Sequence, residues 1–540
     1  MTKGLRTWLG ALIGLILTVP LTALFYAAYR REGLPFLPFN LFDWATRHLP
    51  GKVLAFGIGA MVHTIGWLHL GDTATTAKLA EQMMAVVGFV IAGMVVGAVF
   101  FAAVRPLQRS TILLSGLVVG AVLGIAAVLA SRSAEFAPAG NAAGSALWIL
   151  LALIVWGLLL GLAYRRTVAD GREETARFGA AGRSDRRRFV LELSGAAAAI
   201  SIVGSILGKG PGKGQEAQGE ANRLPEAAWS ESHTLPNARA AVKPVPGTRA
   251  EFTPLAQHYR IDINTTPPEV PEVSWRLQWS GLLEKPLVWT LDDIRSRPAM
   301  DQFITLSCIS NEIGGDLIGT TRWTGASLKQ LLPELGLLPN ATHLKIKSAD
   351  GFYEVVALDT IRGDDRVMLA YAWDGLPLAA KHGFPLRIYI PDRYGMKQPK
   401  WIESIEAMDH WEPGFWVSRG WDREARMRAT SAIDAIATDM MIGQPGGDRR
   451  VPIGGFAHAG VRGISKVEVQ VDGGPWQAAE LRTPLSGQTW VMWRYDWPLQ
   501  KGKHSFTVRC FEGDGTPQIT AEASPEPSGA TGLYTRSAMF

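Results

Sequence analysis

The stretch Phe303-Ile304-Thr305-Leu306-Ser307-Cys308-Ile309-Ser310-Asn311-Glu312-Ile313-Gly314-Gly315 decides the fold of this chain. Its first four residues predict a short apolar strand, and the polar, glycine-bearing run after Cys308 predicts a loop. A cysteine is thereby presented where strand gives way to loop. Thiolate is a soft ligand suited to transition metals. The chain has 2 cysteines, which excludes a disulfide framework and an all-cysteine metal site. Cys510 lies in the alternating segment His504–Phe511 and is expected to be a small buried hydrophobe. A metal at Cys308 therefore needs its other ligands from a cofactor. On these residues alone an inert buried thiol fits equally well.

Working outward, Trp275–Trp279 alternates like a strand, Gly281 and Pro286 mark turns, and Thr290-Leu291-Asp292-Asp293 predicts a capped helix start. A mixed α+β domain is expected over 251–425. From about Arg428 the pattern becomes all-β. Val467, Val469 and Val471 alternate, Asp472-Gly473-Gly474 turns, and Trp490, Trp493 and Trp497 precede the strand Gly502–Val508. This predicts an immunoglobulin-like β-sandwich over 426–525. Residues 526–540, in a Pro-, Ser- and Gly-rich end, are expected to be a disordered tail. Residues 209–250, rich in Gly, Pro, Ala, Glu and Asn, are expected to be a tether.

The other half of the 540 residues is different: the first 210 are strongly apolar. Leu5–Tyr29, Met83–Val104, Thr111–Ala130 and Ser145–Tyr164 are long enough to span a bilayer, and Phe189–Leu207 is a weaker fifth span. Val53–Leu70, with His63 and His69, is expected to be interfacial or re-entrant. Residues 1–188 form a transmembrane helical region and 189–208 the last membrane helix. Eight arginines between Arg165 and Arg188 place that loop in the cytoplasm, and the chain after Gly208 outside it. Asp185-Arg186-Arg187-Arg188-Phe189-Val190 resembles an internal twin-arginine export signal, a route suited to a domain that folds around its cofactor before crossing. The four longer spans contain no histidine and the chain has no CxxCH, which argues against haem. They carry almost no charge to line an ion path, which argues against a transporter. A net charge of +5, concentrated beside apolar segments, excludes nucleic acid as the expected partner.

Beyond these patterns, Tyr259-Arg260-Ile261-Asp262, Trp275-Arg276-Leu277, Leu306-Ser307-Cys308-Ile309-Ser310-Asn311 and Arg322-Trp323-Thr324-Gly325 follow in an order that resembles the sulfite-oxidase-type molybdopterin domain. So do Ala370-Tyr371-Ala372-Trp373-Asp374-Gly375-Leu376-Pro377, Lys381-His382-Gly383-Phe384-Pro385-Leu386-Arg387, Gly395-Met396-Lys397 and Lys400-Trp401-Ile402. Each motif is weak alone; the ordered set is specific. The resemblance implies a molybdenum–molybdopterin cofactor with Cys308 as metal ligand and Tyr371 as an active-site tyrosine. It also implies that Tyr259, Arg260, Arg322, His382, Arg387, Lys397 and Lys400 bind the cofactor, the cations facing its phosphate. The β-rich end resembles the dimerisation domain that follows in this family, implying a homodimer.

Typical members follow the cysteine with an arginine pair in a CAGNRR-like run, whereas Glu312, Ile313 and Gly314 follow here. A carboxylate there repels an anion such as sulfite. Neutral S- or N-oxides, which other members reduce, would tolerate it. The expected function is oxygen-atom transfer on a small sulfur- or nitrogen-containing substrate by a protein of the cytoplasmic membrane. Its catalytic domain would be extracytoplasmic, and electrons would be exchanged with an external cytochrome or quinone. The alternative is a non-catalytic, membrane-tethered binding module with a degenerate molybdopterin fold.

Overall fold

The computed structural model describes residues 2–68, 71–104, 109–133, 142–169, 181–207, 228–443 and 448–540. The chain forms two compact units. The first comprises Met1–Leu49, Lys78–Arg223 and Ile263–Glu269. Its helices are α1 (Lys3–Glu32), α2 (Leu37–His48), most of α4 (Thr73–Ala103), α5 (Arg109–Ser133), α6 (Ala142–Tyr164) and α7 (Ala181–Leu207); α3 (Gly51–Leu68) belongs to the second unit. Among the described residues, five helices are long and apolar enough to cross a membrane, at the positions expected. Small residues let them approach. Gly10 and Gly14 of α1 lie against Gly97 and Gly93 of α4, and Gly116 and Gly120 of α5 lie against α6 at Gly157 and Leu153, with no room for a Cβ. Trp156 donates from Nε1 to Thr18 Oγ1 at 3.2 Å, tying α6 to α1. The centre of the arginine-rich loop, 170–180, and His69 lie outside the described residues.

One stretch expected in the catalytic domain belongs to this helical unit. Asp43 accepts from the N–H and hydroxyl of Thr265 at 3.1 Å each, and Lys78 donates to the Asn264 carbonyl at 2.9 Å. These polar anchors draw Ile263–Glu269 out of the 251–425 domain.

The second unit comprises Pro50–Ala77, Leu224–Asp262 and Val270–Phe540. Its first part has strands β1 (Leu277–Gly281), β2 (Leu287–Trp289), β3 (Ala299–Ser307), β4 (Ile318–Ser327), β5 (His343–Ser348), β6 (Tyr353–Ala357), β7 (Met368–Trp373), β8 (Leu376–Pro377), β9 (Arg387–Tyr389) and β10 (Ile402–Met408). They form a mixed sheet in the order β2-β1-β10-β5-β6, with β1 parallel to β10, and an antiparallel sheet β3-β4-β7-β8 in which β9 also pairs with β7. The helix after β2 starts with a capping box. Asp293 N–H donates to Thr290 Oγ1 at 3.1 Å, and Asp293 Oδ2 accepts from Thr290 N–H at 2.7 Å.

The rest is all β: β11 (Thr430–Ile436), β12 (Arg450–His458), β13 (Ile464–Val471), β14 (Trp476–Ala478), β15 (Glu480–Leu481), β16 (Val491–Pro498), β17 (Lys503–Glu512) and β18 (Tyr534–Met539). Two antiparallel sheets, β11-β12-β16-β15 and β14-β13-β17-β18, share one core built from Ile433, Val451 and Trp493 on one side and Val467, Phe506 and Cys510 on the other. The expected disordered tail is corrected here. Tyr534–Met539 is an edge strand paired along β17, and Tyr534 packs on Gly314 of the cysteine loop. Composition misleads because Pro, Ser and Gly fill only the turn before this strand. The tether is corrected too. From residue 228 it is bound to the body, by Trp229 N–H to the Asp374 carbonyl at 2.7 Å and by Arg482 to the Asn237 and Val242 carbonyls at 3.0 and 2.8 Å. Val245 is buried with Ala435 and Ala437.

Candidate active site

β3 runs into the loop that follows it and delivers Cys308 at its end. The Cys308 N–H donates to the Leu317 carbonyl at 2.9 Å, and the Leu317 N–H donates to Asn311 Oδ1 at 2.9 Å, so the loop closes on itself. The Cys308 sulfur is buried with Leu317, Ala74, Tyr259 and Ile261 and lies 3.0 Å from Ser310 Oγ. Burial pushes its thiol pKa up, and the Ser310 contact partly offsets this. Such a thiol is inert in water and gains its thiolate form only beside a cation. Among the described residues no group of three His, Cys, Asp or Glu could hold a metal, so the protein offers Cys308 singly.

Beside it lies a second feature, a buried cationic pocket. The HGFP run makes it possible. Gly383 has φ +113°, and a Cβ there would stand 3.1 Å from Lys400 Cβ and 3.3 Å from Arg387 Cβ. Arg387 Nη1 donates to the His382 carbonyl at 3.1 Å, and its guanidinium lies 4.8 Å over the Trp323 ring. Lys400 Nζ donates to the Ile261 carbonyl at 3.1 Å and to Asp262 Oδ2 at 3.2 Å, and Arg260 Nε reaches the same Asp262 Oδ2 at 2.7 Å. Burial lowers Arg387 to about 10 and Lys400 to about 8, the latter despite Asp262. His258, packed between Tyr259 and His382, was not anticipated from sequence. Burial first, then the charges of Arg387, Lys381 and Lys400, hold it down at about 3. His382 is likewise held well below its ordinary range, by burial and by the neighbouring His258, lysines and Arg387. Both rings are therefore neutral, and the Nε2 atoms of both are buried without a hydrogen-bond partner.

Of the expected site residues, Cys308, Tyr259, Arg260, His382, Arg387 and Lys400 are thus brought together. Three are not. Lys397 is buried in an ion pair with Glu354 at 2.6 Å, so its charge is already matched. Arg322 pairs with Asp301 at 2.6 Å and lies 4.9 Å over Trp229. Tyr371 sits at the bulge where β7 meets Thr324 and Gly325 of β4, opposite Asp301 and Met300 at the start of β3. Seven residues of strand, roughly 23 Å, separate that start from Cys308. Of the two tyrosines expected at the site, Tyr259 is the one that packs with Cys308, and its hydroxyl and the Ser307 carbonyl both face Gly395. Burial raises its pKa, and so does the neighbouring Cys308. A residue pattern points to Tyr371, but only the register shows which end of the sheet it occupies.

These observations fit a phosphorylated, metal-bearing cofactor. A buried pocket with surplus positive charge and two unpaired ring nitrogens costs free energy unless polar groups of a ligand meet it. The class defined is a redox domain that contributes one thiolate and a cationic cradle. Comparison with known proteins identifies the domain. Residues 264–416 match the model described as oxidoreductase molybdopterin binding domain. Human mitochondrial sulfite oxidase is 28% identical over 263 residues, 41% of this chain and 48% of that protein. A putative protein-methionine-sulfoxide reductase subunit, YedZ1, of Azospira oryzae is 30% identical over 154 residues, 28% of this chain and 56% of that protein. The solved sulfane dehydrogenase SoxCD from Paracoccus pantotrophus is 21% identical, covers 59% of this chain and 93% of its own, and has a TM-score of 0.46. Residues 264–416 are a molybdopterin-binding oxidoreductase domain similar to that of sulfite oxidases, and molybdenum with molybdopterin is the cofactor this implies. The chain spans about half the length of the curated relatives it matches.

Proposed function

We propose that this chain is a membrane-anchored oxygen-atom-transfer enzyme in which Cys308 is the protein ligand to molybdenum. The observation that carries the reading is the buried thiol beside the Arg387–Lys400–His382–His258 pocket. When bound, the cofactor supplies the two-electron chemistry and the oxygen-accepting centre. Arg387, Lys400 and His382 would hold its phosphate. The 3.4 Å contact of His258 Nδ1 with the Tyr259 carbonyl assigns the ring proton to Nδ1, which leaves Nε2 as an acceptor for a pterin N–H. Tyr259, kept neutral by burial, would donate a hydrogen bond near the reacting oxygen.

The substrate favoured is a small neutral S- or N-oxide. Glu312 is half-buried on the cysteine loop where family members carry arginine, and a carboxylate there disfavours an oxyanion. Burial raises the Glu312 pKa, and His63 opposes that rise. Reduction of an S-oxide takes two electrons and two protons and releases the sulfide and water. The electrons would come from a separate cytochrome or quinol. The helical unit would anchor the chain, with Arg186 and Arg187 in a twin-arginine-like export signal and the catalytic unit outside the cytoplasm. The two-sheet C-terminal region would be an immunoglobulin-like dimerisation domain.

The test is molybdenum per chain on protein from a host that makes the cofactor, followed by turnover of methionine sulfoxide and of sulfite. One molybdenum per chain, with turnover lost in Cys308→Ser, supports the reading. A folded protein without molybdenum would instead be a binding module.

A further inference from the structure

The second unit holds a cavity of about 20 Å³ between the cysteine loop and one face of β11 and β12, room for a single group of water size. Successive residues of a strand point to opposite faces, so Phe456 and His458 share one face of β12, and the pairing sets Thr430 of β11 opposite His458. All three line the cavity, and Ser307, Asn311 and Glu312 line it from the cysteine side. Arg249 holds that loop in place. Its guanidinium donates to the Gly314 and Gly315 carbonyls at 3.2 and 3.1 Å and lies 4.0 Å over the Phe456 ring. The lining grades from wet to dry: Asn311, Glu312 and Thr430 are partly exposed, whereas His458 is 3% exposed. Tyr394 forms a further wall. Burial first, and with it the Cys308 charge, raises the Tyr394 pKa, so this wall stands within electrostatic reach of the sulfur.

His458 Nε2 is buried without a hydrogen-bond partner among the described residues. The Gln488 backbone bonds the ring in the sense that favours its proton, so the Gln488 carbonyl accepts from Nδ1 and Nε2 is left as an acceptor. Burial, and after it the charge of Arg462, hold the ring at about 3, so it is neutral near pH 7. A dry acceptor that faces a cavity is satisfied only by a donor that enters it. A fully ionised oxyanion has no hydrogen to offer, and an oxide with alkyl groups alone has none either. We propose that His458 determines substrate specificity: its Nε2 accepts from an N–H or O–H group carried by the small uncharged oxide substrate, and that group occupies the cavity. This rests on the reading that the chain reduces a neutral S- or N-oxide at the Cys308 site, and it narrows that class to oxides bearing a donor such as a primary amide or a hydroxyl. Binding at His458 is measured without molybdenum, so its failure is separable from failure of the oxygen-atom-transfer reading.

The probes are methanesulfonamide, which is uncharged and offers an amino group, and dimethyl sulfone, which has the same shape with a methyl group in its place. Their binding to the full chain in detergent is followed by nitrogen NMR with isotope-labelled histidine, where an unprotonated ring nitrogen moves upfield on accepting a hydrogen bond. His458→Phe assigns the signal by its loss. Methanesulfonamide should move the His458 Nε2 signal and bind on the order of tenfold more tightly than dimethyl sulfone, the scale of one hydrogen bond. In His458→Phe the two probes should bind equally. In the molybdenum-loaded chain methanesulfonamide should raise KM for dimethyl sulfoxide without lowering kcat. Methylsulfinylacetamide, an uncharged oxide with an amide N–H, should have a KM about tenfold below that of dimethyl sulfoxide, and His458→Phe should remove this advantage. A His458 signal that methanesulfonamide does not move, or equal wild-type affinities for the two probes, would overturn the proposal and leave a water as the occupant. The affinity comparison needs no variant, so it decides even where His458→Phe does not fold. Binding without competition against dimethyl sulfoxide would overturn the assignment of the donor group to the substrate.

Discussion

His258→Leu separates holding the cofactor from holding the fold. In the cofactor-free protein His258 Nε2 is buried without a partner, and the ring is walled by Trp323 and Trp373 at 6.0 and 5.6 Å between centroids. An unpaired buried polar group costs roughly 1–3 kcal/mol. Leucine removes that cost and keeps an apolar side chain of similar size among the tryptophans, so the cofactor-free variant should be more stable than the wild type by about that amount. With the cofactor present the sign reverses. A pterin N–H then loses its acceptor in a dry site, costing about 1–3 kcal/mol, or roughly 5- to 150-fold in retention.

The pH dependence adds a second readout. The unfolded chain protonates this histidine near its ordinary 6.5, the folded chain only near 3. The unfolded state therefore binds the extra proton as pH falls below 6.5, and stability is lost progressively down to about 3. The difference is worth on the order of 5 kcal/mol. The leucine variant should show a shallower acid loss by that contribution, with His382 still supplying its own. The assays are molybdenum per chain after exhaustive dialysis and thermal or acid melting of the cofactor-free protein followed by tryptophan fluorescence. A variant that keeps wild-type molybdenum while melting lower would refute the reasoning, because His258 would then be a packing residue.

Three further outcomes are expected. Lys397→Met should keep molybdenum but destabilise the fold by about 3–5 kcal/mol, since it strands the Glu354 carboxylate, whose side chain is 0% exposed; denaturation midpoints check this, and loss of molybdenum from a folded variant would return Lys397 to the cofactor pocket. Glu312→Arg should lower KM for sulfite about tenfold or more by replacing repulsion with attraction, and unchanged sulfite kinetics would show that Glu312 does not face substrate. Arg186→Lys with Arg187→Lys should leave the catalytic unit inaccessible to protease added outside the cell, whereas normal exposure would remove the twin-arginine reading.

Much of the architecture was legible because it rests on local signals. Hydropathy alone located the five long apolar helices, since a span needs about 20 apolar residues and little else. The Thr290 cap and the strand into Cys308 were equally local. Non-local pairing was not legible. Tyr534–Met539 alternates only weakly, and its place is decided by the free edge of β17. Ile263–Glu269 is polar and proline-bearing, and nothing in it announces the buried Asp43 and Lys78 that capture it. The sequence showed His382 and Arg387 as a motif, while His258 carried no signal beyond its position next to Tyr259.

The three expected residues that stand apart from the cluster share one physical feature. Arg322, Lys397 and Tyr371 were drawn in by residue type and order, and each proved to answer a different local demand: a carboxylate at Asp301, a buried carboxylate at Glu354, and the apolar core beside β7. A cation finds the nearest unmatched charge, and in a two-sheet domain several carboxylates compete for it. The proposed pocket shows the opposite condition. Arg387 has no carboxylate among its hydrogen-bond partners, Lys400 shares Asp262 with Arg260, and two histidine nitrogens have no partner at all among the described residues. Unspent hydrogen-bonding capacity in a dry place marks where a ligand belongs, and that surplus is a property of the packed chain that no ordered set of motifs can display.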